Sequence, residues 1–273
     1  MDQAPAATDR ASGWIDPAFQ YGDQQHVHYL EQGYCIFDRF LTAEGLEAGR
    51  QQIQRMLTEL QPGRSPEDMI SCHHQESWMF ELARAPQLLD MIERQIGPDI
   101  VLWSSHMLIK PPRTGNAVPW HQDLPYWELD GELAAGVWIS FDDLSSETGT
   151  MSVLPGWHAK GELRRRDSGQ DRFNEEIAPD ALPVDVEQRK VEYNLRAGQM
   201  AIHHTMMPHS STPNRSDRWR RVLVLRYMSA DGAIGEKSYE DYRTGESFAR
   251  ECFLVRGSDV GGFGLRISPF EQG

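Results

Sequence analysis

Residues 198–228 read GQMAIHHTMMPHSSTPNRSDRWRRVLVLRYM. Two β-prone runs, Met200–Ile202 and Val222–Met228, flank a histidine-bearing segment rich in Pro, Ser and Asn. Working outward, Ile100–Trp103, Met107–Ile109, Val137–Phe141 and Met151–Leu154 are runs of the same kind, punctuated by Gly, Pro, Asp and Ser. Short strands at close spacing without intervening helices predict an antiparallel sandwich or barrel. The N-terminal third differs. After a short strand at Tyr34–Phe37, Thr42 offers an N-cap to a helix running to about Leu60, with Leu46, Ile53, Met56, Leu57 and Leu60 on one face. A second helix fits Pro86–Ile96, with proline at its start and Gly97 at its stop. The fold class is therefore mainly β with packed helices: N-terminal helices on a jelly roll. Residues 1–18, rich in Ala, Asp and Pro and without periodicity, are expected to be a mobile tail, and 19–273 a single domain. The stretch 156–196 is long, charged and proline-containing, the kind of segment that serves as a lid.

Composition narrows the function. Of 273 residues 39% are hydrophobic and 25% charged, near globular averages, which argues against a disordered chain or a coiled coil. The net charge is -14, from 41 acidic and 27 basic residues, and this argues against nucleic acid or an anionic membrane as partner. A small-molecule substrate is expected. Cys35, Cys72 and Cys252 are odd in number and widely spaced, so they read as buried free thiols rather than a disulfide framework or zinc ribbon. The start has no basic and apolar leader pattern, no run of about 18 apolar residues occurs, and the end is not a peroxisomal tripeptide. The expected compartment is the cytoplasm. The residues leave the oligomeric state open.

The chemistry concentrates in two places. In Trp120-His121-Gln122-Asp123, residues two apart on an extended segment point to one side, so an imidazole and a carboxylate can converge on one ion. In the quoted stretch, a strand leads to His209 and an arginine, Arg220, lies 11 residues beyond. Two histidines and one carboxylate on one face of a metal leave three positions open, the arrangement of non-haem iron(II) oxygenases. A bidentate 2-oxoacid and dioxygen would use those positions, and a buried arginine would grip the far carboxylate of 2-oxoglutarate. The charges then sum to zero: +2 from iron, -1 from Asp123, -2 from 2-oxoglutarate and +1 from Arg220. His203 and His204 compete with His209 for the third ligand position, and the arginine spacing favours His209.

These motifs carry a resemblance. Met107-Leu-Ile-Lys-Pro-Pro, Trp120-His-Gln-Asp-Leu-Pro-Tyr-Trp127, Trp138, Gly149-Thr-Met-Ser-Val-Leu-Pro-Gly156-Trp-His158, and then His209, Ser211, Asn214 and Arg220 follow one another in an order and spacing that resembles the phytanoyl-CoA dioxygenase family of Fe(II)/2-oxoglutarate oxygenases. The resemblance spans roughly residues 28–230. It implies a double-stranded β-helix (cupin-like jelly-roll) core, and iron on His121, Asp123 and His209. It also implies 2-oxoglutarate on Arg220 with Trp138 nearby, and dioxygen as oxidant. One departure is Trp157, where the family has a small residue before His158; it touches the shape of the pocket rim.

The implied activity is hydroxylation or another oxidation of a C–H bond in a small organic or natural-product substrate, with succinate and carbon dioxide released. An acyl-CoA substrate is the alternative within the family. A zinc hydrolase with the same ligands, or a non-catalytic binding protein, would have no use for Arg220. Tyr126, Trp127 and Lys110 are the substrate-lining candidates. For the first two the plainer reading is core packing, and for Lys110 a solvated side chain. His158 is expected to brace its turn, and the run Arg164-Arg165-Arg166 to be a solvated face.

Overall fold

The computed structural model describes residues 13–127, 129–130, 135–170 and 173–270. In chain order the strands of its two principal sheets are β1 (Tyr34–Phe37), β2 (Ile100–Lys110), β3 (Val118–His121), β4 (Gly136–Ser140), β5 (Met151–Val153), β6 (Val191–Glu192), β7 (Met200–His203), β8 (His209–Ser211), β9 (Arg220–Ser229) and β10 (Phe253–Arg256). They pair antiparallel into a six-stranded sheet, β1-β7-β4-β9-β2-β10, and a four-stranded sheet, β3-β8-β5-β6. With the N-terminal helices α1 (Asp23–Gln32), α2 (Ala43–Glu59), α3 (Ser77–Ala83) and α4 (Pro86–Ile96), this is the double-stranded β-helix read from the sequence.

Side-chain alternation assigns the two faces of the larger sheet. Val222 and Val224 of β9, Trp138 of β4 and Ala201 of β7 pack inward with Met151 and Val153 of the smaller sheet. Their neighbours Leu223, Leu225, Val137, Ile139 and Ile202 turn outward, onto the helices with Ile53, Met56, Leu88 and Ile92. Each such side chain contributes roughly 1.5–3 kcal/mol by leaving water. Thr42 caps α2, its Oγ1 accepting from the Gly45 N–H at 2.9 Å, and Gly97 ends α4 at φ 83°.

Two expectations are corrected. Ile100–Trp103 and Met107–Ile109 are one continuous strand, β2. The intervening Ser104-Ser105-His106 broke the apolar run because these residues serve polar surroundings. Ser105 Oγ bonds His73 Nδ1 at 2.8 Å, and Ser104 and His106 face an internal cavity. Residues 13–18, expected to belong to a mobile tail, are instead packed on the fold. Ile15 is fully buried and bridges Leu41, and Trp14 stacks on Trp78 at 5.7 Å. Residues 1–12 lie outside the described residues.

The same burial makes the fold acid-sensitive. Burial pushes His73 well below the ordinary histidine pKa, and pushes His74 and His204 down to about 4. Between about 6.5 and 4 the unfolded chain binds protons that the native state refuses, so stability present above pH 6.5 is lost as pH falls. The urea midpoint should decline steadily from pH 7 to pH 5. A midpoint that stayed flat until carboxylates titrate near pH 4 would contradict this.

Candidate functional site

β3 ends at His121 and β8 begins at His209, and the two residues are directly paired across the ladder. Their rings lie 4.0 Å apart. After Gln122 the chain turns, and Asp123 swings back so that its Oδ1 lies 3.7 Å from His121 Nε2 and 3.8 Å from His209 Nε2. One ligand atom from each residue falls within 4.8 Å of the others, a group that could hold a metal ion. The tautomers are set by the backbone: His121 Nδ1–H donates to the Pro119 carbonyl at 2.8 Å and His209 Nδ1–H to that of Met207 at 2.9 Å. Both Nε2 lone pairs are left toward Asp123, the outer support typical of metal-binding histidines.

Gln122 points the other way and is buried. Its amide donates to the Gly161 and Met206 carbonyls and its Oε1 accepts from the Leu163 N–H. It ties the ligand turn to the segment 156–196. That segment carries a hairpin, Arg165–Asp167 with Glu175–Ile177, beside which Phe173 lies 6.2 Å from the His121 ring. Arg164, Arg165 and Arg166 pair with Asp180, Glu175 and Glu176, so this basic run is spent on the segment's own acids. Residues 171–172 lie outside the described residues.

The field around Asp123 favours the carboxylate. Burial alone would raise its pKa, but His209, Arg226 and His121 outweigh it and hold the group at about 2. Arg226 Nη2 stands 3.7 Å from Asp123 Oδ2, opposite the oxygen that faces the histidines. Burial and the adjacent His209 push His121 down to about 4, so its ring is neutral and able to ligate at neutral pH.

The competing histidines separate cleanly. His204 sits on the far side of β7's end, 5.1 Å from His158, its Nδ1 accepting from the Met206 N–H. His203 is buried 5.1 Å from His209, but it is not in the clustered group. His158 Nε2–H donates to the Leu30 carbonyl and braces its turn.

Arg220 and Lys110 form a paired position across β9 and β2. Arg220 is 4% exposed. It donates from Nη1 to the Gly149 carbonyl at 2.9 Å, its Nε finds no partner, and its guanidinium lies 5.8 Å from the Trp138 ring centre. Lys110 is not the solvated side chain expected. It is 2% exposed, and its Nζ donates to Ser211 Oγ at 2.9 Å and the Thr212 carbonyl at 2.7 Å. Burial and the charge of Arg220 bring its pKa down to about 7. Both line a cavity of about 290 Å³ together with Leu108, Val118, Phe173 and Glu67. A buried guanidinium beside an amine that an arriving anion would protonate makes this an anion-seeking pocket, with Glu67 as the one acid in its wall among the described residues. Asn214 holds the backbone at the end of β2, its Nδ2 donating to the Lys110, Pro111 and Arg218 carbonyls.

A second cavity of about 370 Å³ shares Ile70 and His106 with the first and is lined by Trp103, Trp127 and Arg226. Trp127 meets Trp103 edge to face at 4.7 Å, under the Arg226 guanidinium at 5.1 Å. The Tyr126 side chain lies outside the described residues. Arg226 and Phe173 escaped the sequence reading. For Arg226 a signal existed: it lies six residues after Arg220 on one strand, so it shares the inward face.

A model of the phytanoyl-CoA dioxygenase (PhyH) family matches residues 29–222, a span containing the ligand group, Lys110 and Arg220. The chain belongs to the phytanoyl-CoA dioxygenase family. Among the proteins it is similar to is the probable alpha-ketoglutarate-dependent hypophosphite dioxygenase of Stutzerimonas stutzeri, 25% identical over 248 residues, covering 81% of this chain and 84% of that protein. The peroxisomal phytanoyl-CoA dioxygenase of Homo sapiens is 25% identical over 238 residues, covering 76% of this chain and 68% of that one. The solved structure of apo ThoJ, a non-heme monooxygenase, aligns with a TM-score of 0.69 at 29% identity, covering 90% of this chain and 89% of that one. Fe(II)/2-oxoglutarate oxidoreductase chemistry is the general activity of this fold and family, and this chain carries the residues to hold a metal for it.

Proposed function

We propose that the protein is an Fe(II)- and 2-oxoglutarate-dependent dioxygenase that oxidises a C–H bond of a small organic or natural-product substrate, releasing succinate and carbon dioxide. The observation that carries this reading is the pairing of a two-histidine, one-aspartate group with a buried arginine–lysine pocket on the same internal face. The donor set fits iron(II): two imidazoles whose Nδ1 is held by a backbone carbonyl, and one carboxylate whose pKa is brought down to about 2. His121, Asp123 and His209 would hold the ion, and Arg220, with Lys110 and Trp138 beside it, would hold 2-oxoglutarate. When bound, iron, 2-oxoglutarate and dioxygen supply the oxidising power.

The chain's own contribution is placement and exclusion. Backbone carbonyls fix both imidazoles, Arg226 fixes the second oxygen of Asp123, and Gln122 anchors the turn between them. Phe173 stands over the ligand group from the segment 156–196, which we read as a cover that keeps bulk water from the reacting centre. A zinc hydrolase would leave two buried cations with nothing to bind. An acyl-CoA fits less well: the chain's charge is -14, and the 370 Å³ cavity lies at the small end of ligand sites.

Anaerobic addition of iron(II) and 2-oxoglutarate should produce the weak visible charge-transfer band of a chelated 2-oxoacid, and air should then release succinate. A protein that binds iron(II) yet shows neither band nor succinate is not an oxygenase of this class.

A further inference from the structure

The 370 Å³ cavity has a composition that the iron site does not require. Along β2 the register with β9 slips at one point: Arg226 pairs with Ser104 and Tyr227 with Leu102, so Trp103 is the unpaired residue of a bulge. A bulge reverses the alternation beyond it and re-aims a side chain. Trp103 therefore faces the same side as Ser104 and joins the cavity wall, where Trp127 meets it edge to face. Arg226 and Arg250 complete this wall, and Tyr239 lines it too.

Among the described residues three N–H groups of this wall meet no acceptor: Trp103 Nε1, Arg226 Nε and Arg250 Nε. Buried donors are nearly always satisfied, so three at one cavity call for a missing acceptor. Arg250 donates from Nη2 to the Gly235 carbonyl and makes no ion pair with any described residue. Among the described residues Arg226 forms one ion pair, with Asp123 at 3.7 Å, and that carboxylate is shared with whatever ion the ligand group holds. None of Arg226, Tyr239 and Arg250 falls within the span that matches the family, residues 29–222.

Building on the oxygenase reading above, we propose that this cavity is the substrate site, and that it selects a small aryl carboxylate. The ring lies against Trp103 and Trp127, and the carboxylate accepts from the guanidinium groups of Arg226 and Arg250. An arginine fork matches the two oxygens of a carboxylate, and indole faces take a planar body. A monoanion suits the site better than a phosphate dianion, because Asp123 and the lining residue Glu236 offset two of the three cations Arg226, Lys237 and Arg250 and leave a single positive charge. Arg226 bridges the substrate carboxylate to a metal-holding residue, so binding fixes the substrate's distance from the reacting centre.

Calorimetric titration tests this with 3-phenylpropionate, its methyl ester and 2-phenylethylphosphonate, on the protein with and without iron(II) and 2-oxoglutarate under nitrogen. The acid should bind about 10- to 100-fold more tightly than its neutral ester, and more tightly than the phosphonate. Arg250→Gln should erase the preference for acid over ester, and Arg250→Lys should restore part of it. Equal binding of acid and ester by the native protein, tighter phosphonate binding, or an unchanged preference in Arg250→Gln would each overturn the proposal. The comparison of acid with ester needs no variant, so misfolding of Arg250→Gln cannot rescue it. Calorimetry also needs no turnover: a missing charge-transfer band with iron and 2-oxoglutarate would defeat the oxygenase reading, while the acid–ester preference is read separately.

Discussion

His209→Ala should lose the charge-transfer band with iron(II) and 2-oxoglutarate and more than 99% of succinate formation, roughly, while His204→Ala keeps both. Partners one shell further out are worth about 10- to 100-fold in affinity or activity, so removal of a ligand should exceed that. The argument rests on position. His209 pairs with His121 across the β8–β3 ladder and presents Nε2 3.8 Å from Asp123 Oδ1, whereas His204 packs against His158. The fold should survive the change, because the His209 ring makes a single backbone hydrogen bond, to the Met207 carbonyl, and the ladder around it is main chain. The reverse result, with His204→Ala inactive and His209→Ala competent, would move the third ligand to His204. His203→Ala is a useful third arm: its ring is buried beside His209, so it should weaken binding without abolishing the band.

What was legible in advance follows local composition. Where a run was rich in β-prone apolar residues, as in Val222–Met228 or Val137–Phe141, composition alone marked a strand, and its two faces emerged only from the packing. The ends of α2 and α4 were equally legible, because Thr42, Pro86 and Gly97 act locally through caps and backbone angles. The centre of β2 was not. Of its inward column Ser104, His106, Leu108 and Lys110, all but Leu108 are polar and all line cavities, and the polar stretch Ser104-Ser105-His106 reads in sequence as a break. Lys110 was misjudged for the same reason. Lysine is almost always solvated, and only the pairing of β2 with β9 reveals that its amine ends at Ser211 and Thr212. The ligand group itself was legible because His121 and Asp123 are two apart and His209 keeps its spacing to Arg220. Phe173, Arg250 and the bulge at Trp103 reach the site through long-range packing, which no local pattern encodes.

Arg220→Leu should raise the 2-oxoglutarate concentration needed for half-maximal succinate release by roughly a hundredfold to several thousandfold. Breaking a buried charge pair by deleting one partner costs about 3–5 kcal/mol, and each 1.4 kcal/mol is about tenfold. In this protein the estimate has a specific basis. Arg220 is fully enclosed, its Nε has no protein partner, and its one firm bond is to the Gly149 carbonyl, so its charge is not answered by any ion pair among the described residues. Glu67, in the wall of the same cavity, offsets part of that cost in the ligand-free state, and the rest is recovered when an anion arrives. Removing the charge should therefore leave the melting temperature near that of the native protein, since losing one carbonyl partner, worth about 1–3 kcal/mol, is offset by relief of a buried cation. Lys110 would also revert: with the neighbouring guanidinium gone, its amine should titrate higher than the present value of about 7. The charge it regains would retain part of the affinity, so the double variant Arg220→Leu with Lys110→Met should bind 2-oxoglutarate more weakly than either single variant. An unchanged 2-oxoglutarate requirement in Arg220→Leu, with the fold intact by circular dichroism, would place the co-substrate somewhere other than the 290 Å³ pocket.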